Sequence, residues 1–489
     1  MGGFDRFLDA CVGVPTLTAH IVFGGGIAGL VAAHWLREAD PDANIVVVER
    51  SEQVGGLLRS FDYGPCGRFD HGIHTITETG DTEIDHFLLS LLPRAEWEFL
   101  EGERRDLSGV YWRGRLHSNA HYLDLRALPR DEYERCMSDF FQALQRTQPA
   151  PPANMEEFTR QRFGRFVADG YAGPALRKMF GREASELDML AGVIAPMDRI
   201  VLFDERAFSD LIKSDLLRAR VAFPDQRRLP LQYSSGKKSF YPRSFGSFRI
   251  VESLAQRLAR ERIEIRTRTA LAGLNFDAQR IRSVNLRGPF GEWTQELVGE
   301  VIWTAGIPAL TQALELDASH IRMDAARRTA IVSILLDRPP ATGDLFYFYC
   351  YDEGFQTYRW VNYSAYCPGA PRAGGFPISM ELLLDPSVTW SPESAAARAL
   401  EELRAMRILE PETRILFAGA KILPTGFPLP TVNNMRSITA LKDAVRGRGI
   451  ENLTVGGAMS EPNLFFQHDV LMDLRRKTQT LLRKEVMHG

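Results

Sequence analysis

Long apolar runs are missing from this 489-residue chain. The best candidate, Val12 to Leu36, is broken by Pro15, His20, a glycine cluster and His34. It therefore falls short of the roughly 20 continuous apolar residues of a membrane helix, and no integral membrane segment is expected. The same stretch lacks the basic start and small-residue cleavage site of a secretory leader. Met1-Gly2 would suit myristoylation, but Arg6 stands where Ser or Thr is required. Cysteine is scarce as well: Cys11, Cys66, Cys136, Cys350 and Cys367 are odd in number and form no CxxC pair. That argues against a metal site or a disulfide framework and points to a reducing, cytoplasmic compartment. An excess of either charge is also absent, with 59 basic against 62 acidic residues. Neither nucleic acid nor an anionic membrane surface is thus the expected partner. Internal repeats and low-complexity tracts are lacking too.

What the chain does contain is alternation. His20–Phe23 reads as a short buried strand, Gly29–Glu38 as the helix after it, and Asn44–Glu49 as a second strand. That is a βαβ unit and requires a parallel sheet. From 76 to 235 strand signals thin out, while Asp131–Gln145 and Met155–Asp169 carry helical periodicity. Beyond Phe240-Tyr241-Pro242 the pattern changes. Phe248–Arg260 reads as a helix, Ile263–Arg268 as a strand, and Asp277–Arg287 with Glu292–Thr304 as a hairpin arriving at VIWTAG. The aromatic strands LFYFYCY, TYRWVNYSAY and ISMELLL then suggest an antiparallel sheet. Asn452–Gly457 and a helix from about Phe466 to Lys484 close the chain. The expected fold class is α/β. A Rossmann-like dinucleotide domain is assembled from 18–75, 236–312 and 431–489. A mainly helical insertion with substrate contacts occupies 76–235, and an antiparallel-sheet substrate domain occupies 313–430.

Gly24-Gly25-Gly26-Ile27-Ala28-Gly29 matches G-x-G-x-x-G in the required context. A strand precedes it, a helix follows, and Glu49 ends the next strand 20 residues after Gly29. Gly24 permits the tight turn, Gly26 lets backbone approach a pyrophosphate, and Gly29 allows close helix–strand packing. Glu49 is placed to accept hydrogen bonds from a ribose. Arg50 and the pair Gly55-Gly56 come next. An acid at a strand end followed by Gly-Gly resembles the flavoprotein group that contains amine oxidases, protoporphyrinogen oxidase and UDP-galactopyranose mutase. The resemblance implies noncovalent FAD, held by these residues and by Gly456 and Gly457 in IENLTVGGAMSEPN. It also implies that the last helix points its positive end at the flavin ring.

Within that group the chain is most similar to the UDP-galactopyranose mutases. GGLLRSFDYGPCGRFDHGIHTI, VYWRGRLHSNAHYLDLRALPRDEYERC, SFYPRSFGSFRIVESLA, TYRWVNYSAYCP and LPTGFPLPTV carry the likeness. It implies that His74 lies at the flavin face and that Arg359 and Tyr366 contact substrate. It further implies a reaction in which reduced flavin N5 attacks a sugar's anomeric carbon. An activated sugar is thereby isomerised between pyranose and furanose forms, with NAD(P)H as reductant. The substrate is then a small molecule, a sugar or sugar nucleotide. Three positions depart from the family: Ile73 replaces a glycine, Phe427 replaces a second tyrosine, and Met459–Asn463 contains no second arginine. The alternative reading is an FAD-dependent oxidoreductase acting on an amine, alcohol or similar small molecule. Arg359 and Tyr366 are seven residues apart, an odd separation that faces them oppositely in a regular strand. If they share a site, pairing must break between Asn362 and Cys367. The oligomeric state is not legible.

Overall fold

The computed structural model describes residues 19–488 except 106, 119, 146–149, 297–298, 373, 424–426 and 462–463, with side chains as far as 481. Its first sheet has five strands, all paired in parallel. In spatial order they are Glu264–Arg266, Asn44–Val48, Ala19–Phe23, Val301–Trp303 and Leu453–Val455. By chain order that is third, second, first, fourth, fifth, the Rossmann arrangement. The central strand AHIVF is buried along its whole length because both faces of the sheet are covered. Helices Ile27–Ala39, Phe248–Arg260 and Gln467–His488 supply one cover. Leu30, Val31, Ile250, Leu254, Leu471 and Leu474 form its core. The strand order reverses between Ala19–Phe23 and Val301–Trp303, which opens a crevice at their carboxyl ends.

One sequence expectation needs correction. Residues 277–304 are not a single hairpin. Ala270–Asp277, Arg280–Gly288 and Gly291–Glu296 form a three-stranded antiparallel meander, and Val301–Trp303 is a separate strand of the parallel sheet. The triplet Val301-Ile302-Trp303 is buried throughout, as befits a parallel strand covered on both faces, whereas the meander strands carry exposed positions.

The aromatic segments build a second sheet of seven strands. Its order is Ile415–Leu423, Thr329–Leu336, Phe376–Leu383, Thr357–Asn362, Tyr347–Cys350, Ser108–Trp112 and Arg115–His117. Pairing is antiparallel except that Tyr347–Cys350 runs parallel to Ser108–Trp112. Two of these strands thus come from the segment read as a helical insertion. That segment nevertheless holds helices Arg130–Leu144, Met155–Phe163 and Gly173–Phe180. The sheet separates two cores. Phe348, Trp360, Met380 and Leu382 pack under helix Pro392–Ala405. Tyr351, Tyr358 and Leu383 pack against the helical segment. No helix among the described residues is long and apolar enough to cross a membrane.

Candidate functional site

The glycine turn is built by sterics that differ at each glycine. Gly24 has φ +107°, and a methyl group there would lie 2.5 Å from the Thr304 hydroxyl oxygen. At Gly29 a methyl would sit 1.9 Å from the Gly24 carbonyl oxygen, so only glycine lets the helix approach the turn. At Gly26 it would meet nothing within 4 Å. Gly26 therefore faces open space, at the start of helix Ile27–Ala39. No side chain caps that helix, and no acid occupies its first turn. Its unpaired N–H groups and positive end favour an anion.

The second glycine pair closes on the first. The Gly55 N–H donates to the Gly25 carbonyl at 2.6 Å. A methyl at Gly56 would lie 3.3 Å from the Gly26 Cα, and Gly56 itself is exposed. Gly55, with φ +111°, packs on Val251 of helix Phe248–Arg260. The Glu49 carboxylate reaches back to this junction. Its Oε2 accepts from the Gly25 N–H and its Oε1 from the Ser51 N–H, each at 2.8 Å. Each oxygen keeps a lone pair for a further donor. Gly457, with φ +94°, completes the rim against the Thr304 carbonyl, where a methyl would come within 3.1 Å. Gly456 lies deeper: it donates to the Trp303 carbonyl at 2.9 Å, and a methyl there would meet Leu474 at 2.3 Å. Its role is to seat the last helix. Arg50 is exposed and makes no ion pair among the described residues. Sequence reasoning missed Thr304. Its hydroxyl donates to the Phe23 carbonyl at 2.9 Å and stitches the two strands that flank the crevice.

The second cluster lies on the large sheet. Arg359 pairs across strands with Glu381. Its Nε and Nη2 donate to the two carboxylate oxygens at 2.7 and 2.8 Å. A register shift between Thr357 and Arg359 lets the adjacent Tyr358 hydroxyl donate to the same carboxylate. Glu381 is buried, and its Oε1 would lie 2.8 Å from a methyl at Gly72, whose φ is +99°. The loop carrying His74 is thus moulded onto this ion pair. Burial lowers the His74 pKa to about 4, Arg359 adds to the effect, and Glu381 opposes it. His74 is neutral at pH 7, and its Nε2 lies 3.1 Å from the His71 carbonyl. For Arg359 burial is the largest single influence and works against the charge, but Glu381 with Tyr358 and Tyr349 together hold the pKa well above the ordinary value. Glu381 was also missed by sequence reasoning. Its signal was a lone acid inside the apolar strand ISMELLL.

Tyr366 does not join Arg359. The strand ends at Asn362 and a helical turn, Tyr363–Tyr366, follows, so the pairing breaks where expected without bringing the two residues together. The turn carries Tyr366 into an aromatic core. Its ring centroid lies 5.0 Å from Tyr241 and 5.3 Å from Phe346, and the side chain is fully buried. Tyr363 instead faces the histidine loop, with its hydroxyl 2.9 Å from Ser379 Oγ and 3.4 Å from the Gly72 carbonyl. Phe427 packs on Tyr358 at 4.8 Å and Phe180 at 5.9 Å. Of the Met459–Asn463 stretch, Pro462 and Asn463 lie outside the described residues. Glu461 is not a free repulsive charge: Lys442 donates to it at 2.9 Å and Arg446 at 3.0 Å, with Lys477 at 3.5 Å.

Comparison with known proteins agrees with this geometry. Residues 22–91 match the model of the NAD(P)-binding Rossmann-like domain. Human protoporphyrinogen oxidase is 29% identical over 187 residues, 35% of this chain and 37% of that enzyme. The match thus spans little more than a third of the curated relative. A structure of reduced UDP-galactopyranose mutase superposes with a TM-score of 0.74 at 17% identity, covering 95% of this chain and 94% of that one. The fold is that of UDP-galactopyranose mutase. A protein of Exiguobacterium sp. 255-15 assigned as a protoporphyrinogen oxidase gives 0.68 at 16% identity, over 96% and 99% of the two chains. An oxidoreductase from Methanosarcina mazei gives 0.58 at 12% identity, over 94% and 100%. The mutase fold is therefore shared with oxidoreductases, and the fold alone does not choose a reaction.

Proposed function

We propose that the chain is an FAD-dependent oxidoreductase acting on a neutral or cationic small molecule. The residues present suit the dinucleotide. Gly26 leaves room beside an uncapped helix end for a pyrophosphate, and the Glu49 carboxylate has acceptor capacity for a ribose. Noncovalent binding is part of the proposal. When bound, FAD supplies two-electron redox chemistry. The chain's own part is to hold the dinucleotide and to offer a neutral imidazole, His74, beside the ring.

The observation that carries the substrate class is the Arg359–Glu381 pair. A guanidinium already held by two hydrogen bonds to a buried carboxylate offers no net charge to a diphosphate. No second arginine stands at Met459, Ser460 or Glu461. The mutase reading stays as the second, favoured by likeness over nearly the whole chain. That reading needs Arg359 to exchange Glu381 for the substrate's phosphates and NAD(P)H to supply electrons. The test has two arms. Denatured protein should release a yellow cofactor with the mass of FAD. Reduced protein, held anaerobically with UDP-galactofuranose, should leave the sugar unchanged, whereas a neutral alcohol or an amine from a substrate panel should bleach the oxidised flavin. Isomerisation without further reductant would establish the mutase reading instead.

A further inference from the structure

His71 was not singled out by the sequence motifs, which pointed three residues further to His74. It is 5% exposed, and neither ring nitrogen has a hydrogen-bond partner among the described residues. Its ring packs on Phe61 in a tilted arrangement, with centroids 4.8 Å apart. A neutral imidazole carries one donor and one acceptor, and leaving both unmet in a buried position is unfavourable. Other buried histidines of this chain are satisfied. The His34 ring meets Glu261 at 2.9 Å, and His20 accepts from the Glu300 N–H at 2.8 Å.

The surroundings of His71 lie between the two clusters. Its titratable neighbours are His74 and Arg59. Arg59 has a buried Nε that is also without a partner. Arg59 follows the exposed Gly56 by three residues, and its backbone nitrogen is 3.3 Å from where a methyl on Gly55 would stand. On the other side Gly72 abuts Glu381. An unsatisfied donor–acceptor side chain thus sits where the dinucleotide turn gives way to the sheet cluster. Burial above all, with His74 and Arg59 adding to it, keeps its pKa down at about 3, so it stays uncharged at working pH.

We infer that His71 is a ligand-contacting residue whose imidazole hydrogen-bonds an uncharged donor–acceptor group of the bound dinucleotide, such as a ribityl hydroxyl or the pyrimidine edge of the flavin. The inference rests on the FAD reading above. Its test compares wild type with His71→Phe and His71→Asn. Apoprotein is titrated with FAD, and the melting temperature is followed with and without cofactor. His71→Phe should weaken FAD binding about tenfold or more, the loss expected for a buried hydrogen bond. Its apoprotein should melt at the same or a higher temperature, because two unmet polar atoms are gone. His71→Asn, which keeps a donor and an acceptor, should recover part of the affinity. Wild-type affinity in His71→Phe would overturn the inference and assign the imidazole to water. A lower apoprotein melting temperature in that variant would overturn it too, by showing a structural role. If wild type itself binds no FAD, the cofactor reading fails and this inference falls with it.

Discussion

The glycine junction and the sheet cluster solve opposite problems. The junction removes side chains and leaves backbone open beside a helix end. At Gly26 a methyl would meet nothing, while at Gly29 it would strike a carbonyl oxygen at 1.9 Å. The sheet cluster packs polar and charged side chains against one another until they satisfy themselves, with Arg359 and Tyr358 sharing the Glu381 carboxylate. An open cradle reads as a binding site because its unmet groups are backbone. A closed ion pair reads as structure unless a ligand displaces one member.

The strongest way to break this contrast is at the glycines. Gly26→Val should abolish flavin loading while the apoprotein keeps its fold, since the branched side chain enters space that a pyrophosphate needs. Gly29→Ala should destabilise the fold itself, by about 3 kcal/mol or more, because neither the helix nor the turn has room to move. Flavin absorbance and urea unfolding separate the two outcomes. A Gly26→Val protein with full flavin content would show that the cradle is misassigned.

Next in size is the ion pair. Arg359→Ala should cost about 3 to 5 kcal/mol of stability by stranding the buried Glu381 carboxylate, with flavin content unchanged. Replacing both partners, as Arg359→Met with Glu381→Leu, should recover most of that loss. If Arg359→Ala is as stable as wild type but loses substrate binding by 10-fold or more, equivalent to about 1.4 kcal/mol, the pair is an anion site and the mutase reading gains.

A pH titration tests the histidine loop of the apoprotein. Folded His71 and His74 titrate at about 3 and about 4, below the ordinary 6.5. The unfolded chain therefore takes up their protons first as pH falls. Their contribution is fully present above pH 6.5 and is lost toward pH 4 to 3. Asp70 works the other way. Burial raises its folded pKa to about 6, against hydrogen bonds from Tyr241 and Ser247 that lower it, so acidification favours the folded state there. Between pH 7 and pH 5 each histidine should cost about 2 kcal/mol and Asp70 should return about 1 kcal/mol, a net loss of about 3 kcal/mol. Urea midpoints across that range measure it. A flat profile would mean that the two rings are hydrated or hydrogen-bonded in solution.

The smallest expected effect is at Glu461. Glu461→Gln leaves Lys442, Arg446 and Lys477 without their shared partner, but the group is partly exposed and screened. The cost should be about 1 kcal/mol and should shrink in high salt. A loss that salt does not reduce would mark Glu461 as part of the site.

The glycine turn of the Rossmann-like fold was legible in the sequence because its constraints are local. A positive φ at Gly24, a carbonyl pressed on Gly29 and an acid at the end of the next strand each demand one residue type at one spacing. The helix Phe248–Arg260 was likewise readable, since its amphipathic period is written within a few turns. Tertiary structure decided the rest. Whether Arg359 meets a phosphate or a carboxylate depends on which strand lies beside it, and strand register brings Glu381 there from 22 residues away. Tyr366 leaves the site because one helical turn after Asn362 rotates it into the core. The strands Ser108–Trp112 and Arg115–His117 join a sheet whose other members begin at Thr329, a long-range pairing that no local pattern encodes. Local backbone geometry restricts the residue at its own position, whereas charge pairing and burial are properties of neighbours that only folding supplies.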